Sequence, residues 1–189
     1  MSLVVRLPKL ADVDRLAVVN VETWRAAYAG VITQSRLDGM DLDDYRDRWR
    51  RNVTEPTESR HFLVAEVDGA VQTYGIAGSY RPQDPDDDTA ATRALGEVYA
   101  LYTHPQAQGG GAGKAVHDAM LGALARDGFA EVALWVLEGN VAGRAWYAQQ
   151  SWTEDGATSD FVAHDVAHPE LRLRHPLPAS APGPASPGR

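Results

Sequence analysis

The chain has 189 residues, 44% of them apolar, carries a formal net charge of −8 and contains no cysteine. That length builds one domain around a single sizeable core rather than two, and the missing thiols exclude disulfides, thiolate zinc sites and a cysteine nucleophile. The acidic balance argues against nucleic acid as the main partner; it suits a cationic acceptor or serves solubility alone.

No run of about 18 apolar residues is present, so no membrane-spanning helix is expected. Residues 1–6 lack the basic-then-apolar layout of a signal peptide. Together these point to a cytoplasmic protein.

Residues 4–7 read as a short apolar strand. Val13, Leu16, Ala17, Val21, Trp24 and Tyr28 recur at spacings of three and four, which predicts an amphipathic helix with Asp12 as N-cap and Gly30 as stop. A second helix is expected over 41–52, with Leu42, Tyr45 and Trp49 on one side. Residues 62–67 form a strand, Asp68-Gly69 a hairpin turn, and 71–80 the antiparallel partner.

Two prolines and Asp84, Asp86, Asp87 and Asp88 make 82–94 a mobile acidic loop by composition. It lacks the glycine and terminal glutamate of a calcium-binding EF-hand loop. His61, His104 and His117 stand alone without metal-ligand spacing, so no metal is expected.

Next come a strand over 97–103, ended by Pro105, a helix over 112–126, a strand over 132–136 and a helix over 142–150. Two short strands, near 161–163 and 171–173, close the fold. The domain is expected to span 1–175. The Pro/Ala/Gly/Ser-rich stretch 176–189 reads as a flexible tail that cannot bury enough surface to fold. This order predicts a single α/β domain of the α+β kind, with a mixed, mostly antiparallel sheet flanked by helices.

The chemistry concentrates where the 97–103 strand runs into glycines that open a helix. Gln108, Gly109, Gly110, Gly111, Ala112, Gly113 and Lys114 follow one another there. The first amides of a helix lack internal partners and sit at the positive end of its dipole, and glycines let an anion approach the backbone. A nucleotide P-loop fails at two places. With four residues between, Gln108 stands where its first glycine must be, and Ala115 replaces the metal-binding hydroxyl. The dinucleotide fingerprint traced from Gly109 needs a glycine at Lys114. A plain glycine-rich helix cap remains the alternative.

What the segment does match is Gln/Arg-x-x-Gly-x-Gly/Ala, present from Gln108 to Gly113. It resembles the acetyl-CoA loop of the GNAT (GCN5-related) N-acetyltransferases. Its context agrees: Leu101-Tyr102-Thr103 and then Pro105 precede it, and Asn140 is followed seven residues later by Tyr147. Trp24 to Gly30 looks like one subgroup of the family. Ser151-Trp152 departs slightly from the family's Gly-Phe. The likeness runs over roughly residues 3–175 and is strongest from Glu97 to Trp152.

The resemblance implies acetyl-CoA as cosubstrate, no metal, a primary amine as acceptor and direct transfer in a ternary complex. It also implies that the strands on either side of the glycine-led helix splay apart, so that pantetheine pairs with Leu101, Tyr102 and Thr103. Amides from Gly109 to Lys114 are then expected to hold pyrophosphate, helped by the Lys114 and Arg144 side chains unless these are simply solvated. Asn140 resembles the family's cofactor-contacting asparagine; a turn-forming role is the alternative.

Tyr147 matches the family position that meets the CoA sulfur and is the expected general acid, with helix packing as its alternative. Glu97, four residues before Leu101, is the expected general base, with a structural or substrate-orienting carboxylate as its alternative. Strand alternation puts Glu97, Tyr99, Leu101 and Thr103 on one face. Glu138 ranks second as base. The family's other base position is occupied by Trp135, which weakens a protein N-terminus as acceptor. Trp24 and Tyr28, four apart, either wall an amine pocket by cation–π contact or belong to the core. Family members are often dimers, which leaves room for a homodimer. A CoA-binding regulatory module without turnover is the rival reading.

Overall fold

A computed structural model describes residues 2–57 and 59–178. Seven strands form one open sheet: β1 (Leu3–Arg6), β2 (Arg60–Val67), β3 (Ala70–Ser79), β4 (Gly96–Thr103), β5 (Glu131–Leu137), β6 (Thr153–Ala163) and β7 (Val166–Pro176). Their order is β1-β2-β3-β4-β5-β7-β6, and only the β4–β5 pair is parallel. The mixed, mostly antiparallel sheet expected from the sequence is present.

Helices cover both faces. α1 (Val13–Ala27), the short α2 (Gln34–Asp38) and α3 (Leu42–Thr54) lie on one side. There Leu16, Val19, Tyr45 and Trp49 pack with Phe62, Val64, Tyr74 and Ile76 of the sheet. α5 (Ala112–Arg126) lies on the other, burying Val116, Met120 and Leu124 against Ala65, Ala77, Val98 and Leu134. Each such large side chain contributes roughly 1.5–3 kcal/mol on burial. α4 (Ala90–Arg93) is a single turn, and α6 (Val141–Gln149) follows β5.

Several expectations change in detail. Asp12 precedes α1 but makes no side-chain cap. Its carboxylate instead takes both guanidinium nitrogens of Arg6, at 2.7 and 2.9 Å, and the Lys9 amide. The acidic loop is not free: it holds a 3₁₀ turn, Pro85–Asp87, capped by Asp84, and α4. Asp87 fastens it by accepting from Arg172, the Tyr80 hydroxyl and the Gln83 amide.

The last two strands are much longer than the stretches expected near 161–163 and 171–173. β7 reaches Pro176, and Leu177 is buried, so the ordered chain continues past residue 175. Residues 179–189 of the expected tail lie outside the described residues.

Candidate active site

β4 and β5 pair only at Gly96–Val132 and Glu97–Ala133, and then diverge. β4 continues to Thr103 and β5 to Leu137, so the strands open a gap between them. The splay expected from the sequence is thus present. The gap belongs to a cavity of about 1010 Å³, lined by both strands, α1, the glycine loop, α6 and parts of β6 and β7.

One end of the cavity is made of backbone. Gly109 and Gly111 have φ of 79° and 84°, a left-handed conformation that side chains disfavour. Gly111 is the N-cap of α5. The amides at 112–114 form the first turn and have no intrahelical acceptor. Gly113 serves packing: a Cβ there would meet the Thr103 hydroxyl at 2.9 Å, so glycine lets α5 approach β4. Gly109, Gly111, Gly113 and Lys114 line the cavity, whereas Gly110 and Ala112 do not.

Side chains of this half are mostly engaged. Gln108 donates to the Thr103 carbonyl at 3.3 Å, and the Thr23 hydroxyl donates to the same oxygen at 3.1 Å. Leu101 and Tyr102 also line the gap. Lys114 pairs with Asp118 one helical turn on. Arg144 is placed elsewhere: it donates to the Glu138 carbonyl and to Glu154, and it does not line the cavity. Asn140 is the N-cap of α6, accepting from the Gly143 amide at 3.0 Å, and lines the cavity as well. Capping and contact are therefore compatible roles.

Tyr147 reaches the cavity from α6, its ring edge-on to Trp146 and Trp152. Trp152 is itself pinned to α5 through a hydrogen bond to His117. Burial pushes the Tyr147 phenol above the ordinary tyrosine range, and its hydroxyl makes no hydrogen bond among the described residues. It stays protonated at neutral pH with its donor free.

The other end is made of side chains, and a bulge decides which ones. Ile76 pairs with Ala100 and Ala77 with Val98, leaving Tyr99 without a partner. The extra residue reverses the alternation. Val98 and Leu101 both pack toward α5, while Tyr99, Ala100 and Tyr102 pack toward α1. Glu97, Tyr99, Leu101 and Thr103 therefore do not share one face. Glu97, next to the α5-facing Val98, turns to the α1 side. The Tyr102 ring also belongs to that wall rather than to the loop half.

On this wall Trp24, Tyr28, Tyr102 and Phe161 form an aromatic group. Trp24 lies 5.1, 6.2 and 6.0 Å from Tyr28, Tyr102 and Phe161, ring centre to ring centre. The Tyr28 and Tyr102 hydroxyls are 3.3 Å apart, and burial pushes the Tyr28 phenol up to about 12. Trp24 and Tyr28 are thus both core-packed and cavity-lining.

Glu97 is only 1% exposed and fully engaged. It accepts from the Arg81 amide at 2.7 Å and pairs with the Arg81 guanidinium at 2.7 Å. Burial raises its carboxyl and Arg81 opposes that rise. Arg81 in turn stacks on the Tyr99 ring at 3.7 Å. The second-ranked Glu138 is exposed and outside the cavity.

Sequence reasoning missed Glu170. On β7 it pairs with Leu137 at the open end of β5. It lines the cavity without a hydrogen bond among the described residues. Burial, with Glu97 and Asp160 nearby, pushes its carboxyl up to about 7. The alternation Glu170, Arg172, Arg174 was a readable signal, but the strand was read as starting at residue 171. His61, His104 and His117 each meet one carboxylate, and no group of three metal-capable side chains gathers among the described residues. No described helix is long and apolar enough to cross a membrane.

Known proteins share this fold. The PaiA N-acetyltransferase of Thermoplasma acidophilum, solved in complex with coenzyme A, superposes with a TM-score of 0.71 at 17% identity, over 93% of this chain and 99% of that one. The putative acetyltransferase YncA of Salmonella typhimurium, solved with its cofactor acetyl-CoA, gives 0.65 at 19% identity, over 98% of this chain and all of that one. In sequence, the uncharacterized N-acetyltransferase YuaI of Bacillus subtilis is 28% identical over 136 residues, 72% of each chain. A mycothiol acetyltransferase of Streptomyces griseus is 32% identical over 129 residues, 68% of this chain but 37% of that enzyme. The sequence model of the acetyltransferase (GNAT) family matches residues 22–152, which include the splayed strands, the glycine loop and Tyr147. The chain belongs to the acetyltransferase (GNAT) family and is an N-acetyltransferase.

Proposed function

We propose that this enzyme transfers the acetyl group of acetyl-CoA to a primary amine of a small molecule or peptide in a direct ternary complex. The observation that carries this reading is the division of one cleft by the diverging strands. A backbone anion cradle lies at one end and an aromatic, carboxylate-bearing wall at the other.

The cradle fits pyrophosphate. Gly109 and Gly111 occupy the left-handed conformation, and unpaired first-turn amides supply partial positive charge. The gap-facing backbone of β4 near Leu101 fits an amide-bearing arm laid beside it as an extra strand. Bound there, acetyl-CoA supplies an activated thioester. Backbone amides near the splay point are suited to stabilise the developing oxyanion. Tyr147, protonated and unpartnered on the cavity wall, is suited to donate to the leaving sulfur.

Trp24, Tyr28, Tyr102 and Phe161 suit an acceptor that carries apolar surface next to its ammonium. Glu97 enters the proposal as the anchor of Arg81 and as a second negative charge beside the acceptor, since its oxygens are already engaged.

Two measurements test the reading. Acetyl-CoA is expected to raise the melting temperature more than ATP with Mg²⁺ does, because only acetyl-CoA engages both cradle and gap. A thiol-release screen of primary amines is expected to find an acceptor. Binding of acetyl-CoA with no transfer to any amine would favour a regulatory CoA-binding module instead.

A further inference from the structure

We infer that Glu170 is the catalytic base of the reaction, receiving the acceptor's ammonium group and taking its proton. The inference rests on the reading of the cleft as an amine acetyltransferase site.

Acetyl transfer from nitrogen requires the neutral amine, so something must accept the proton of an ammonium. Among the described residues, no histidine lines the cavity, and only two carboxylates do, Glu97 and Glu170. Glu97 holds the Arg81 amide and guanidinium at 2.7 Å each. Protonating it would give up its pairing with the half-exposed Arg81 guanidinium and weaken its hold on the Arg81 amide. Glu170 has no such partner.

Position supports the same choice. Glu170 pairs with Leu137, where β5 has already left β4, so it stands at the open side of the splay. Leu137 packs toward α1, and a paired residue shares its partner's face. Glu170 therefore faces the same wall as Glu97, Tyr28 and Tyr102. The titratable groups that act on it are Glu97 from β4, Asp160 from β6, Tyr28 at the C-cap of α1 and Tyr102 from β4. The carboxylates favour its protonation and the phenols stay neutral. Buried enough to have its carboxyl pushed up to about 7, it is a willing proton acceptor and is about half ionised in neutral solution.

The proton balance closes. The ammonium gives one proton to Glu170, which passes it to solvent. The amine nitrogen then bonds the thioester carbonyl carbon as the carbon–sulfur bond breaks. Tyr147 gives its proton to the departing sulfur and is reprotonated by way of solvent with the second proton that nitrogen loses. The products are the acetamide and the free thiol.

The test is Glu170→Gln, which keeps the shape and removes the charge. Acceptors are spermidine, phenethylamine and a short peptide with a free N-terminus, read by thiol release, using whichever the wild type acetylates best. For the wild type, kcat/KM for the amine should rise with pH through about 7 and level off. For Glu170→Gln it should fall about 10²–10⁴-fold at neutral pH and keep rising toward the amine's own pKa, because only free amine then reacts. Acetyl-CoA affinity by calorimetry should stay unchanged, which also shows that the variant is folded. A wild-type rate and pH profile in Glu170→Gln would overturn the assignment alone. A wild type that binds acetyl-CoA yet acetylates no amine would overturn the reading on which it rests.

Discussion

The two ends of the cleft are built differently. The loop end is backbone: one contiguous segment from Gly109 to Lys114, whose chemistry depends on glycine conformation and helix polarity. The proposed acceptor end is side chain: Trp24 from α1 and Tyr28 just past its end, Glu97 and Tyr102 from β4, Phe161 from β6 and Glu170 from β7. A contiguous, backbone-built site leaves a mark in sequence because few residue types can serve it. A wall assembled from four elements leaves a fainter one: Trp24, Tyr28, Glu97 and Tyr102 stand out singly in the sequence, but Phe161 and Glu170 join them only once the register is known.

That contrast can be broken or sharpened by mutation. The largest effects are expected where protons move. Beside Glu170→Gln, Tyr147→Phe keeps the ring that packs on Trp146 and Trp152 and deletes only the hydroxyl. It should lower kcat about 10²–10⁴-fold with little change in acetyl-CoA affinity. Turnover at the wild-type rate would make Tyr147 a packing residue.

A charge placed in the cradle should act next. Gly111 has φ of 84°, so most substitutions are strained whatever they do to binding. Asn and Asp both tolerate that region and differ mainly in charge. Gly111→Asp should bind acetyl-CoA roughly tenfold more weakly than Gly111→Asn, the scale of one charge at a helix N-terminus. Equal affinities for the two variants would remove pyrophosphate from this loop.

At the acceptor end, Trp24→Leu keeps an apolar side chain, though a smaller one, and removes the ring. It should raise KM for a cationic acceptor about 3–30-fold and leave acetyl-CoA binding alone, the range expected of a cation–π contact. A loss shared equally by both substrates would mean that the two ends are not separable.

The smallest effect concerns stability. Glu170 binds its proton more tightly folded than unfolded, since its carboxyl is raised from 4.5 to about 7. Stability from this group is present below pH 4.5 and lost as pH rises through 7. Glu170→Gln should therefore melt a few degrees at most above wild type at pH 8 and no higher at pH 4. An identical melting difference at both pH values would mean that the carboxyl is not raised.

The same contrast explains what was legible in the sequence. The hairpin at Asp68-Gly69 is announced by its residues, which have φ of 49° and 86°. The hairpin between β6 and β7 turns on His164-Asp165, also both left-handed but without glycine, and the short-turn rules do not flag it. Missing that turn shortened both strands and hid Glu170. The bulge at Tyr99 leaves no compositional trace either, yet it decides that Glu97 and Leu101 face opposite sides. Arg144 looked like a phosphate ligand because it is basic and close to Asn140 in sequence. Its hydrogen bonds run to Glu138 and Glu154 instead, contacts that only the fold creates.

The measurement that tests the central claim most directly is mass spectrometry of a primary-amine mixture incubated with the enzyme and acetyl-CoA, with thiol release followed in parallel. The account predicts that one or more amines gain a single acetyl group, in step with free thiol, and that no acetyl group stays on the protein. Acetyl-CoA that binds tightly while every amine remains unmodified, or an acetylated protein that forms first and then reacts, would contradict direct transfer in this cleft.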